Sequence, residues 1–197
     1  HAFGAALSSS TAHRPPPPEP GHGGIAGLRL EHVGLVQRLL LEAVDGAPTL
    51  AMGFDVAGPQ ALAQLADRLR AQGHDVVAGT DEELRRRGVA AMVHLRDPDG
   101  RRIELVHGLR DAPTAFEPSR PIGGFRTGAL GLGHVALMAG RYAEMLRFYR
   151  EALGFRLSDR ASKPFAAEFL HVNPRHHTVG IADTGTGPGV YHVMVEY

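Results

Sequence analysis

The sequence predicts an α+β chain built from a repeated βαβββ unit. Three observations carry this. Two amphipathic helical stretches, 59–73 and 140–154, end on Gly73 and Gly154, which lie 81 residues apart. Each follows an apolar strand and precedes further strand-like segments, the signature of an internal repeat. Between them "DAPTAFEPSRPIGG" reads as a linker, rich in Pro and Gly, after which the pattern restarts.

The elements can be taken in order. Residues 1–48 stand apart from the repeat: "SSSTAHRPPPPEPGHGG" has the composition of disorder or polyproline II, and "LVQRLLLEAV" is an apolar helical patch with no place in a larger pattern. A βαβββ unit then spans 49–112. "TLAMGFDVAG" is a strand, and "PQALAQLADRLRAQG" a helix with Pro59 in its first turn and Leu62, Leu65 and Leu69 on one face. "HDVVAG" is a short strand, and "TDEELRRRG" a short helix with a capping box from Thr80 to Glu83. "AAMVHLRDPDGRRIELVHG" is a hairpin turning at Asp97-Pro98-Asp99-Gly100. Residues 113–128 form the linker.

The second unit occupies 129–197, together with the opening strand of a third. "LGLGHVALMA" is a strand. "GRYAEMLRFYREALG" is a helix burying Tyr142, Met145, Leu146, Tyr149 and Leu153. "FRLSD", "AAEFLHVN" and "HHTVGIAD" are strands, and after "TGTGPG" the strand "VYHVMVEY" opens the next unit.

Composition excludes several classes. Twenty-one Lys+Arg balance 21 Asp+Glu, so there is no electrostatic footprint for nucleic acid or an anionic membrane. No apolar run approaches the ~20 residues of a membrane span. The absence of cysteine removes disulfides, thiolate catalysis and Cys-type metal sites, which fits a cytoplasmic protein. The 12 histidines are the first pointer to chemistry.

The motifs "GLGHVAL", "FYREALGFRLSD", "FLHVNPRHHT" and "YHVMVEY", in this order, resemble the type I extradiol ring-cleavage dioxygenases of the vicinal oxygen chelate superfamily, those acting on bicyclic catechols above all. The resemblance covers residues 50–197 and is strongest over 127–197. It implies cleft-shaped mixed sheets, a non-haem Fe(II) site (Mn(II) in some members), O2 and a catechol as substrates, and a homo-oligomer. In the family two His and one Glu form a facial triad with open positions for substrate and oxygen.

Carried over residue by residue, the resemblance makes His134 and His192 the metal ligands, on equivalent opening strands that pair edge to edge. A single histidine in an apolar strand is ordinarily packed core; it is the shared phase of the two that favours ligation. His177, 15 residues before His192, takes the place of the catalytic acid–base histidine. His176, its strand neighbour, should then face away. Phe169, Ala136 and Asn173 fall at substrate-cleft positions. Phe169 and Ala136 read equally well as ordinary core, and Asn173 as a turn former.

The family's Glu ligand lies on a strand downstream of the one holding His192, and the sequence ends at Tyr197. Glu196 is four residues, or ~13 Å, along the strand from His192 and is too far to share its metal. Glu104 sits where related proteins can place a metal carboxylate, but in the other unit. The expectation is therefore an incomplete copy of a dioxygenase, with an uncovered sheet edge that favours association. Alternatives are a metal-free binding module of the same superfamily and a glyoxalase-like metal isomerase or lyase that would use Glu104 or a partner chain's carboxylate.

Overall fold

The computed structural model describes residues 50–197 except 112, 114–116, 118 and 119. The expectations for residues 1–48 lie outside these. Thr49–Arg110 and Arg126–Glu196 form one compact unit. Of the other unit, His1–Pro48, Asp111–Phe125 and Tyr197, the described residues carry no helix or strand.

The first βαβββ repeat consists of β1 (Ala51–Asp55), α1 (Pro59–Ala71), β2 (Val77–Ala78), α2 (Asp81–Arg87), β3 (Ala91–Arg96) and β4 (Arg102–His107). The second runs through β5 (Gly133–Met138), α3 (Tyr142–Arg147), β6 (Arg156–Ala161), β7 (Ala166–His171) and β8 (Val179–Asp183), and β9 (Gly189–Val195) follows. The strand orders are β1-β4-β3-β2 and β6-β7-β8-β5-β9. β1 pairs with β4 in parallel and β5 with β8 in parallel, so the repeat is present in the topology. This is the expected α+β architecture of mixed sheets.

Local chemistry explains most boundaries. Pro59 opens α1, where its missing N–H costs nothing, and Gly73 closes the turn after it at φ 86°. Leu62, Ala66 and Leu69 are its buried residues, and Leu65 packs at the margin. The α2 capping box forms: Thr80 Oγ1 accepts from Glu83 N, and Glu83 Oε2 accepts from Thr80 N at 2.8 Å. Three acidic residues in its first turn and three arginines in its last suit the helix dipole.

Two elements differ from expectation. The second long helix is α-helical only over Tyr142–Arg147 and continues as a π turn, Phe148–Ala152. The wider turn rotates the following residues, so Phe148 and Ala152 join Met145 and Tyr149 in the core, while Tyr142, Leu146 and Leu153 are only partly buried. Further on, β8 begins at Val179, not at His176. The "NPRHHT" segment is a loop, held by Asn173 Oδ1 accepting from Arg175 N at 3.0 Å and by the Ser158 hydroxyl donating to the His176 carbonyl. Ser158 is the extra residue of a bulge between Leu157 and Asp159.

One hydrophobic cluster of the described residues spans both repeats. It holds Met52, Leu69, Ile103 and Leu105 together with Leu137, Met145, Tyr149, Leu170, Val179 and Ile181. The Phe54 and Phe155 rings meet edge to face at 5.2 Å. Among the described residues no helix is long and apolar enough to cross a membrane.

Candidate active site

Side chains directly opposite in neighbouring strands share a face. His192 on β9 is opposite Ala136 on β5, Ala136 is opposite Gly180 on β8, and Gly180 is opposite Phe169 on β7. One row thus crosses the second sheet on the face away from the Leu137, Leu170, Val179 and Ile181 core. His134, two residues before Ala136, shares this face. Gly180 supplies no side chain, and the Phe169 ring lies over it: a Cβ there would sit 3.6 Å from Phe169 Cδ1.

His192 reaches this face through an irregularity. Val190 is opposite Leu137 and His192 is opposite Ala136, so Tyr191 is an extra residue bulged out of β9. His134 Nε2 and His192 Nε2 are then 2.8 Å apart. The His177 ring lies over His134 at 4.1 Å between centroids and meets Phe169 at 5.0 Å. His134, His192 and His177 are each half-buried.

His176 does not face away from His177. Both are in the loop, so strand alternation does not apply to them; their rings meet at 5.3 Å and Nδ1 lies 3.0 Å from Nδ1. His176 is exposed and lies 6.3 Å from the Phe169 ring. Asn173 turns its amide into the loop, donating to the Leu130 carbonyl at 2.9 Å and accepting from Arg175 N.

Burial lowers the pKa of His134 to about 4, with the neighbouring His177, His192 and Arg175 charges adding to the effect. Burial, then His176, His192 and Arg175, also lowers that of His177. Both rings are therefore neutral near pH 7, the form in which imidazole binds a metal or accepts a proton. Two nitrogens on one ion at ~2.1 Å each and at right angles stand ~3 Å apart, close to the 2.8 Å between the two Nε2 atoms, so the pair fits a shared metal.

Among the described residues, no group of three or more His, Cys, Asp or Glu is arranged to hold a metal. Glu196 accepts from Arg175 Nη1 at 3.0 Å, which ties the histidine loop to the end of β9. Glu104 is buried in the first sheet, where Arg87 donates to both its oxygens at 2.8 and 2.9 Å and Arg102 donates at 2.8 Å. The Arg175 side chain is 9% exposed, and its ion-pair partner Glu196 lies 21 residues away, beyond the reach of local sequence signals.

Comparison with known proteins now bears on this arrangement. Residues 131–197 match the Glyoxalase/Bleomycin resistance protein/Dioxygenase superfamily. The biphenyl-2,3-diol 1,2-dioxygenase of Paraburkholderia xenovorans is 36% identical over 151 residues, covering 73% of this chain and 51% of that protein. An iron-dependent extradiol dioxygenase of Rhodococcus jostii is 36% identical over 160 residues, covering 73% and 52%. The crystal structure of a halotolerant catechol dioxygenase superposes with a TM-score of 0.80 at 30% identity, covering 91% of this chain and 60% of that one. The chain spans about half the length of the curated relatives it matches.

Residues 131–197 thus match this superfamily, the vicinal oxygen chelate proteins, and the described fold is that of its catechol dioxygenases. Within it, its relatives are extradiol ring-cleavage dioxygenases.

Proposed function

We propose that the chain carries the two-histidine part of an extradiol dioxygenase site that opens a catechol such as 2,3-dihydroxybiphenyl with O2. The observation that carries the reading is the 2.8 Å approach of two imidazole nitrogens, His134 Nε2 and His192 Nε2, beneath the His177 ring. His134 and His192 are the residues that would hold Fe(II), or Mn(II). The bound ion supplies the Lewis-acid and one-electron chemistry that lets O2 react with a catechol.

The chain's own groups do the rest. The Phe169 ring, lying over Gly180, gives an aromatic substrate an edge to pack against, and Ala136 keeps the floor low between Phe169 and His192. His177 is the acid–base group. Its Nδ1 is turned to His176, which leaves Nε2 to take a proton from a catechol hydroxyl and return it later in the cycle. A lowered pKa keeps His177 in the base form at the start. A cytoplasmic setting and a homo-oligomer accompany this reading; the exposed Val190 and Tyr191 on edge strand β9 supply an apolar strip for association.

One observation favours a second reading. The Phe169 ring packed over Gly180 also suits a metal-free module that binds an aromatic ligand. The isomerase alternative in the form that uses Glu104 is opposed by the two arginines that already occupy that carboxylate. The test is anaerobic titration with Fe(II), followed by 2,3-dihydroxybiphenyl and air. Oxygen uptake with a yellow product, lost in His192→Ala, is expected; ligand binding with neither Fe(II) binding nor oxygen uptake would establish the second reading instead.

A further inference from the structure

The turn between β3 and β4 does more than reverse the chain. Asp97, Asp99 and Arg101 have side chains only 0, 2 and 9% exposed, unusual for a charged hairpin turn. Arg101 Nη1 donates to Asp97 Oδ2 at 3.3 Å and to Asp99 Oδ2 at 3.1 Å. Its Nη2 donates to the Met138 carbonyl at 2.7 Å and to the Gly189 carbonyl at 3.1 Å. Met138 and Gly189 are register partners at the end of the β5–β9 ladder. Asp99 accepts from the Gly140 and Arg141 amides, both at 3.0 Å, where the chain leaves β5 for α3. The approach is close: a Cβ on Gly140 would meet Pro188 Cδ at 2.9 Å, and one on Gly189 would meet Met138 Cε at 2.5 Å.

We infer that Arg101 is a positioning residue: the first repeat's hairpin turn clamps the end of the β5–β9 ladder and thereby fixes His192 opposite Ala136, within reach of His134. The logic is geometric. The clamp grips β9 at Gly189, one residue before Val190, and the Tyr191 bulge that turns His192 to the open face comes immediately afterwards. At this bulged strand a slip of one residue would carry His192 to the other face. A guanidinium suits the task because its planar fork serves two carbonyls and two carboxylates at once, which an ammonium cannot. Only the metal-binding readout below rests on the function proposed above.

The test compares wild type, Arg101→Lys and His134→Ala in two measurements on this chain: amide hydrogen exchange, and Co(II) binding by calorimetry. Arg101→Lys keeps the charge beside the two buried aspartates, so the fold should persist. The expected result is faster exchange in β9, by about tenfold, with α1 unchanged. Co(II) affinity should fall about tenfold or more, the size of effect seen when groups that orient metal ligands are removed. His134→Ala should lose Co(II) binding while β9 exchange stays at the wild-type rate. Unchanged β9 exchange in Arg101→Lys would overturn the clamp, and so would equal acceleration in β9 and α1, which marks general loss of stability. Faster β9 exchange with undiminished Co(II) affinity would overturn the link to the histidine pair. If wild type binds no Co(II), the metal reading fails, and the exchange data decide the clamp alone.

Discussion

The two sheets place comparable rows of side chains on corresponding faces and put them to opposite uses. In the first sheet the row is Gly53, Glu104 and His94; in the second it is Phe169, Gly180, Ala136 and His192. Glu104 is as good a metal donor as either histidine. Burial alone would raise its pKa, but the hydrogen bonds and charge of Arg87, then Arg102, outweigh this and hold it below the usual carboxylate range. Its charge is committed to pinning α2, through Arg87, onto the sheet. Across the second sheet, among the described residues, His134 and His177 meet other imidazoles rather than a carboxylate, and burial keeps both uncharged. The difference teaches that a cleft becomes a candidate site when its donors are not held by counter-ions, not merely when donors are present.

Four experiments would break or sharpen this contrast, from the largest effect to the smallest. Replacing His134 or His192 by Ala should abolish catechol cleavage and Fe(II) uptake with little change in folding; retained Fe(II) affinity would mean that the open row is not the metal site. His177→Gln should bind Fe(II) normally but lower turnover by about 10²- to 10⁴-fold, the usual range for general acid–base groups. A variant with equal loss of Fe(II) affinity would place His177 among the ligands instead.

In the first sheet, Glu104→Gln should cost about 3 kcal/mol in urea denaturation, because it leaves two arginines without their buried partner. Fe(II) binding should be untouched, and a drop in it would show that the two rows are not independent.

The smallest effect concerns acid. His134 titrates near 4 in the fold against 6.5 unfolded, so between these values the unfolded chain binds the extra proton and stability falls as pH drops from 6.5 towards 4. Glu83, held near 2 chiefly by the Thr80 amide, contributes stability above its ordinary 4.5 that is lost as pH falls from there towards 2. Metal-free protein should therefore lose stability in two windows. His134→Gln should shrink only the upper one and Glu83→Gln only the lower, as read by denaturation midpoints across pH.

What could be read from the sequence was local. Pro59, the Thr80–Glu83 capping box, the glycine stops and the Asp97–Gly100 turn each act within a few residues, and each marks an element where one forms. The repeat was legible for the same reason. The π turn was not: nothing in "LRFYREAL" announces a widened turn, and only the packing of Phe148 with Tyr149 against the shared core reveals it. The histidine doublet was misplaced because "HHTVGIAD" alternates like a strand along its whole length, whereas Asn173 and Ser158 hold its first residues in a loop. Arg101 and Arg175 were invisible as tertiary anchors, since their partners at Gly189 and Glu196 lie 88 and 21 residues away. The spacing of His134 and His192 was legible only through the repeat, because the bulge breaks the alternation that would otherwise orient β9.

The bulge also has a meaning for sequence drift. Counting by twos from Val190, which faces the side of Leu137, sends His192 to that same packed side; the supernumerary Tyr191 is what moves it to the other. β9 is thus two half-strands out of phase, joined by one hinge residue. Point substitutions along it would change a contact, but regularising the strand without shortening it would change which side every later residue belongs to. A transplant of "GVYHVMV" into a flat, evenly paired sheet would reproduce its letters while inverting their address.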